Sequence, residues 1–101
     1  MEYALIAVGG CITAIGRIII NQRKLPVRGF RVSVTGEINT DRLLGKPATT
    51  RVGFSAIQAS VSIDADMTTE EKEKFLHEID ERCPISDNFQ TSTAVAIKLA
   101  V

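Results

Sequence analysis

Two cysteines and one histidine are the groups in this 101-residue chain that could act as nucleophiles or soft ligands. Cys11 and Cys83 lie 72 positions apart, and neither belongs to a Cys-x-x-Cys pair. A single histidine, His77, leaves no zinc-ligand pattern, so no metal and no cofactor are expected. His77 stands two residues before Ile79, off the apolar stripe of its segment, where a surface position is expected. What remains is thiol chemistry. In one reading the two cysteines are inert core packing. In the other, a fold that brings their Cα atoms within roughly 4.4–6.8 Å lets a disulfide close between them. A thiolate that attacks a peroxide is oxidised to a sulfenic acid, and a second thiol condenses with it to a disulfide. The first thiol then needs a nearby cation to be ionised at neutral pH.

The element that must position Cys11 is a helix from Glu2 to about Gln22. The run Tyr3–Gly16, YALIAVGGCITAIG, carries no charge. Ala4, Ala7, Cys11 and Ala14 form a stripe of small side chains at helical spacing. Val8, Ile12, Ile15 and Ile19 form a bulky one. A helix apolar on so much of its surface belongs in a core or an interface. Gly9 and Gly10 lie inside the helix rather than after a strand, so they suit close packing and not a phosphate loop. Pro26 stops the helix.

Cys83 is positioned by a second helix. Thr68 with Glu71 three residues on is a capping-box pattern. Phe75, Leu76, Ile79 and Cys83 follow at spacings of three and four. Pro84 pushes the residue before it out of helical geometry, which puts Cys83 at the helix's C-terminus, facing inward. Between the helices, Phe30–Ile38 alternates as a strand, with Val32, Val34 and Ile38 on one side. Asn39–Thr50 reads as an irregular connection with Leu43 and Leu44 tucked onto the core. Arg51–Ala65 reads as a strand whose parity slips, predicting a bulge near Gly53–Ala56. Thr93–Val101 alternates again and is expected as a last strand.

The predicted order is helix, strand, strand, helix, strand: an α+β layer with a central buried helix against an antiparallel-rich sheet. Its open edges and uncovered helix point to a dimer or to a further piece of structure. Length allows one domain, 1–101, with a core but not a generous one. Twelve basic and twelve acidic residues give zero formal net charge. That argues against nucleic acid as a partner. The early basic residues and the acidic stretch Asp64–Glu81 read as two solvated faces, or as complementary surfaces in a dimer. The uncharged run, 14 residues, is shorter than the roughly 18 a membrane span needs, and the start is not that of a secretory signal. A cytoplasmic location is expected, where cysteines are reduced or redox-cycling rather than structural staples.

Several stretches resemble one family. Glu2-Tyr3-Ala4-Leu5-Ile6-Ala7-Val8-Gly9-Gly10-Cys11 resembles the central helix of OsmC/Ohr-like proteins. Leu25-Pro26-Val27-Arg28-Gly29-Phe30 resembles the exit from that helix, and Gly53-Phe54-Ser55-Ala56-Ile57 the family's next strand. Arg82-Cys83-Pro84-Ile85-Ser86-Asp87 resembles its second-cysteine motif. The resemblance implies thiol-dependent reduction of organic hydroperoxides or peroxide by an intertwined homodimer, recharged by a dithiol reductant. It implies Cys11 as the peroxidatic thiol and Cys83 as the resolving thiol. Glu2 matches the glutamate that helps orient an arginine near the reactive sulfur. In the family that arginine comes from a strand-rich segment preceding the central helix, which this chain is expected to lack. Arg17 cannot replace it, being about 240° around the helix from Cys11. The alternative is a non-catalytic or incomplete OsmC-like binding module that needs a second chain.

Overall fold

The computed structural model describes residues 1–47, 49 and 51–100. Helix α1 spans Glu2–Arg23 and ends on Lys24, whose left-handed backbone (φ 52°, ψ 48°) lets its N–H and that of Leu25 both reach the Ile20 carbonyl. Strands β1 (Val27–Ile38) and β2 (Phe54–Ala65) form an antiparallel hairpin. Helix α2 (Thr69–Arg82) follows, then a seven-residue helix α3 (Pro84–Gln90).

The hairpin register follows from the side chains. Phe30, Val32 and Val34 stand opposite Ile63, Val61 and Ala59, so the apolar parities of the two strands share one face. Phe54 keeps to that face because Ser55 is an extra residue between the pairs Glu37–Ala56 and Ile38–Phe54, as the slipped alternation predicts. A second irregularity falls at Arg28, whose guanidinium bonds Asp64 at 2.9 Å and Asp66 at 3.0 Å.

The core forms where α1, the hairpin and α2 meet. Ile19, Ile20, Phe75 and Ile79 are buried, with Ile12, Ile15, Phe30 and Ile63 packed around them. Full burial of a side chain such as Ile19 or Ile79 contributes roughly 1.5–3 kcal/mol. Phe30 meets Phe75 edge to face, ring centroids 6.0 Å apart. The capping box at Thr68 and Glu71 forms with both reciprocal hydrogen bonds. Glu78 accepts from Arg23 at 2.9 Å and from Arg82 at 3.1 Å, tying the end of α1 to α2. The basic and acidic stretches thus include partners within one chain.

The structure corrects the expected order at its end. Residues 93–100 are exposed and irregular rather than a strand, and Val101 lies outside the described residues. Alternation alone did not make a strand because the segment has no neighbour in the sheet, which holds β1 and β2. Helix α3 was not foreseen. Leu43 and Leu44 are exposed rather than tucked against the core.

Helix α1 is buried on the bulky stripe at Val8 and Ile19, but Tyr3 and Ile6 are open to solvent. The close approach of the sheet is made at glycines rather than at the alanine stripe. A Cβ on Gly9 would meet Val34, and one on Gly16 would overlap the Phe30 ring, whereas Ala7 and Ala14 are exposed. By length and composition α1 could also cross a membrane, but its C-terminal half is seated in the core.

Candidate thiol site

Two breaks in regular geometry place Cys83. It ends α2 and precedes α3, with an extended backbone (φ −87°, ψ 111°) that the following proline favours. Pro84 then occupies the first turn of α3, where its missing N–H costs nothing. The Cys83 side chain is almost fully buried. Cys11, half-buried on α1, faces it: the two Sγ atoms stand 2.6 Å apart, in hydrogen-bonding contact. Both cysteines are free, and the separation exceeds the roughly 2.05 Å of a disulfide bond.

Burial is the main influence on Cys11 and pushes its thiol above the ordinary range; the pairing with the Cys83 thiol, in which Cys11 keeps its proton, pushes the same way. The Ile85 backbone N–H, hydrogen-bonded to the Cys11 sulfur, pulls it down. None of the groups acting on Cys11 is a cation. The thiolate would therefore be scarce at neutral pH in this arrangement.

An apolar crevice of about 180 Å³ lies against Cys83, walled by Ile12, Val61, Leu76 and Ile79. A neighbouring one of about 340 Å³ shares Ile12, Ala59, Asp80 and Ser86 with it and extends to Phe89 and Gln90. A larger open groove of about 740 Å³ runs along the charged outer face of α2 past His77 and Glu81 and includes neither cysteine.

The structure thus brings Cys11 and Cys83 together and leaves Glu2 apart from them. Glu2 lies in the first turn of α1, fully exposed, paired with the Met1 amine at 3.6 Å. Nine residues of helix put it about 13 Å along the axis from Cys11. A backbone hydrogen bond, and after it the Met1 amine, hold its carboxyl below the usual range. Arg17 is exposed. His77 is also at the surface, 2.9 Å from Glu81 one turn on. Among the described residues no cluster of three or more His, Cys, Asp or Glu could hold a metal ion.

Sequence reasoning missed the Ile85 N–H and the side chains of Asp80, Ser86 and Gln90 that surround the junction. A signal was present: a proline right after an extended residue marks a helix's first position as readily as a helix's end.

The fold has known counterparts. An OsmC-like protein from Mycoplasma pneumoniae superposes with a TM-score of 0.76 at 19% identity, over 89% of this chain and 60% of that one. An OsmC-like protein of unknown function from Vibrio cholerae gives 0.59 at 17% identity, over 91% and 57%. The chain therefore spans about three-fifths of the length of these solved structures. No curated protein matches the sequence. The family described as OsmC-like protein matches residues 1–98, nearly the whole chain, and with the fold in agreement the protein belongs to the OsmC-like family.

Proposed function

We propose that this protein reduces organic hydroperoxides with a pair of thiols, Cys11 as the peroxidatic residue and Cys83 as the resolving one. The observation that carries the reading is the meeting of the two sulfurs at 2.6 Å from opposite ends of the chain. In the first step the Cys11 thiolate attacks the distal peroxide oxygen. The O–O bond breaks, the alkoxide leaves and takes a proton as the alcohol, and Cys11 becomes a sulfenic acid. In the second, the Cys83 sulfur attacks the Cys11 sulfur and water leaves, carrying the sulfenic oxygen. The two thiols have then lost two hydrogens and the peroxide has been reduced by two electrons. A dithiol reductant restores them by exchange. The apolar crevices beside Cys83 suit the hydrocarbon part of such a substrate.

The reaction needs a cation at Cys11, and the reading has it supplied from outside the described contacts. We assign that to a second copy in a cytoplasmic homodimer or to a further segment. A second reading, a non-catalytic module of the same fold, draws on the burial that raises the Cys11 thiol. It needs no nucleic acid and no membrane partner either.

Intact mass before and after one equivalent of cumene hydroperoxide separates the two. Loss of two hydrogens mapped to Cys11 and Cys83 is expected. Cys11→Ser should abolish peroxide consumption, and Cys83→Ser should leave a sulfenate that dimedone traps. Peroxide consumption in Cys11→Ser equal to that of the parent chain refutes the proposal.

A further inference from the structure

Helices α2 and α3 are separated by the break at Cys83, and one carboxylate spans it. Asp80, in the last turn and a half of α2, accepts at Oδ1 from Ser86 Oγ at 2.6 Å and from Gln90 Nε2 at 3.1 Å. Gln90 Nε2 also donates to Ser86 Oγ at 2.6 Å, closing the triangle. The backbone adds a longer bond across the break, from Cys83 N–H to the Asp80 carbonyl at 3.4 Å. Also on α3, Phe89 packs edge to face against Phe54 of the hairpin, ring centroids 6.1 Å apart.

We infer that Asp80 is a positioning residue for the thiol pair: by gathering Ser86 and Gln90 onto its carboxylate, it fixes α3 across the break and so holds Cys83 Sγ in line with Cys11 Sγ. The inference rests on the thiol-couple reading above. The geometry supports it in three ways. Ser86 lies three residues beyond Cys83, and Ile85, whose N–H reaches the Cys11 sulfur, lies between them. Asp80 and Ser86 also line both crevices that adjoin the site, so the clasp is at the reacting end of the helix pair. Hydrogen bonds to an ionised acceptor are the stronger kind, and here two converge on a single oxygen. Without the clasp, α3 is held across the break only by the longer backbone bond and by Phe89 against Phe54, and the line between the two sulfurs is less tightly set.

The test is the rate of disulfide closure, followed by quenched alkylation and mass. Two oxidants are used on the reduced protein. Diamide takes two hydrogens from a thiol pair onto its azo nitrogens and needs no peroxidase chemistry; cumene hydroperoxide does need it. Asp80→Ala and Ser86→Ala should each slow closure by diamide about tenfold, the loss expected for one hydrogen bond to a charged acceptor. Asp80→Asn keeps an oxygen that can accept from Ser86 and Gln90 but loses the charge that strengthens those bonds, so its rate should fall between those of the parent and Asp80→Ala. With hydroperoxide, the alanine variants should accumulate a dimedone-reactive sulfenate at Cys11. Far-UV circular dichroism checks that each variant is folded, and Ser86→Ala serves if Asp80→Ala is not. Closure at the parent rate in both alanine variants overturns the inference. So does an Asp80→Asn rate as low as that of Asp80→Ala, which would show that an acceptor oxygen at this position holds nothing in place. If the parent chain closes with diamide but not with hydroperoxide, the peroxidase reading fails and the clasp is still judged on the diamide rates. If it closes with neither, the clasp has no thiol pair to position and is refuted.

Discussion

The ring of Phe30 occupies the space that a side chain on Gly16 would need: an added Cβ would stand 2.7 Å from Phe30 Cε1 and 3.3 Å from Ile79 Cδ1. This contact sets how closely α1 lies against β1. It also sets the height of Cys11 above the hairpin, because both residues are on the same rigid helix.

Gly16→Ala should therefore destabilise the protein despite alanine's better helix propensity. Propensity alone favours alanine by about 1 kcal/mol. Overpacking a well-filled core costs about 1–3 kcal/mol, and here the neighbour is an aromatic ring held against Phe75. A fall in the urea midpoint at unchanged m-value is expected. A rise would mean that Phe30 moves aside easily.

The environment of Cys11 predicts a pH profile. Burial and the Cys83 hydrogen bond raise its thiol, so its alkylation by iodoacetamide should reach half-maximal rate above the roughly pH 8.5 of a free cysteine. The same shift has a sign for stability. A thiol raised in the folded state favours the native form while it is protonated. That contribution is present below the unfolded thiol's pKa and is lost as pH rises through the folded value. The urea midpoint should fall as pH rises above the roughly 8.5 of an unfolded thiol, and Cys11→Ser should flatten that decline. A profile centred below pH 8.5 would point to a cation at the sulfur.

Oxidation should raise stability. Joining Cys11 to Cys83 closes a loop of most of the chain, for which the loss of unfolded-state entropy corresponds to about 4 kcal/mol as an upper figure. The disulfide form should melt higher than the reduced form, with the gain abolished in Cys83→Ser. A lower melting temperature on oxidation would show that closing the bond distorts the native packing.

Legibility differed along the chain for physical reasons. The long helix, the capping box at Thr68 and the bulge at Ser55 were readable because each depends on local spacing or a local hydrogen bond. The inward placement of Cys83 was readable from Ile79 and the following proline. Helix α3 was not, since Pro84 ends one helix and starts another with the same ring, and only what packs on Phe89 decides between them. Thr93–Ala100 shows the opposite error: its alternation is strand-like, but a strand needs a partner, which a local pattern does not supply. The sulfur–sulfur contact was expected from the family resemblance and from both cysteines facing inward, whereas the Asp80 clasp depends on the angle between two helices and left no mark in the spacing.

Along α1, the anchored residues crowd toward one end. Gly16, Ile19 and Ile20 are enclosed, while Tyr3 and Ile6 stand in solvent, and Cys11 sits between the two regimes. The opening turns can thus unwind at a small fraction of the global unfolding free energy. Hydrogen exchange should consequently be graded along the helix, fastest in the turn before the buried Val8, with the domain still folded beneath it.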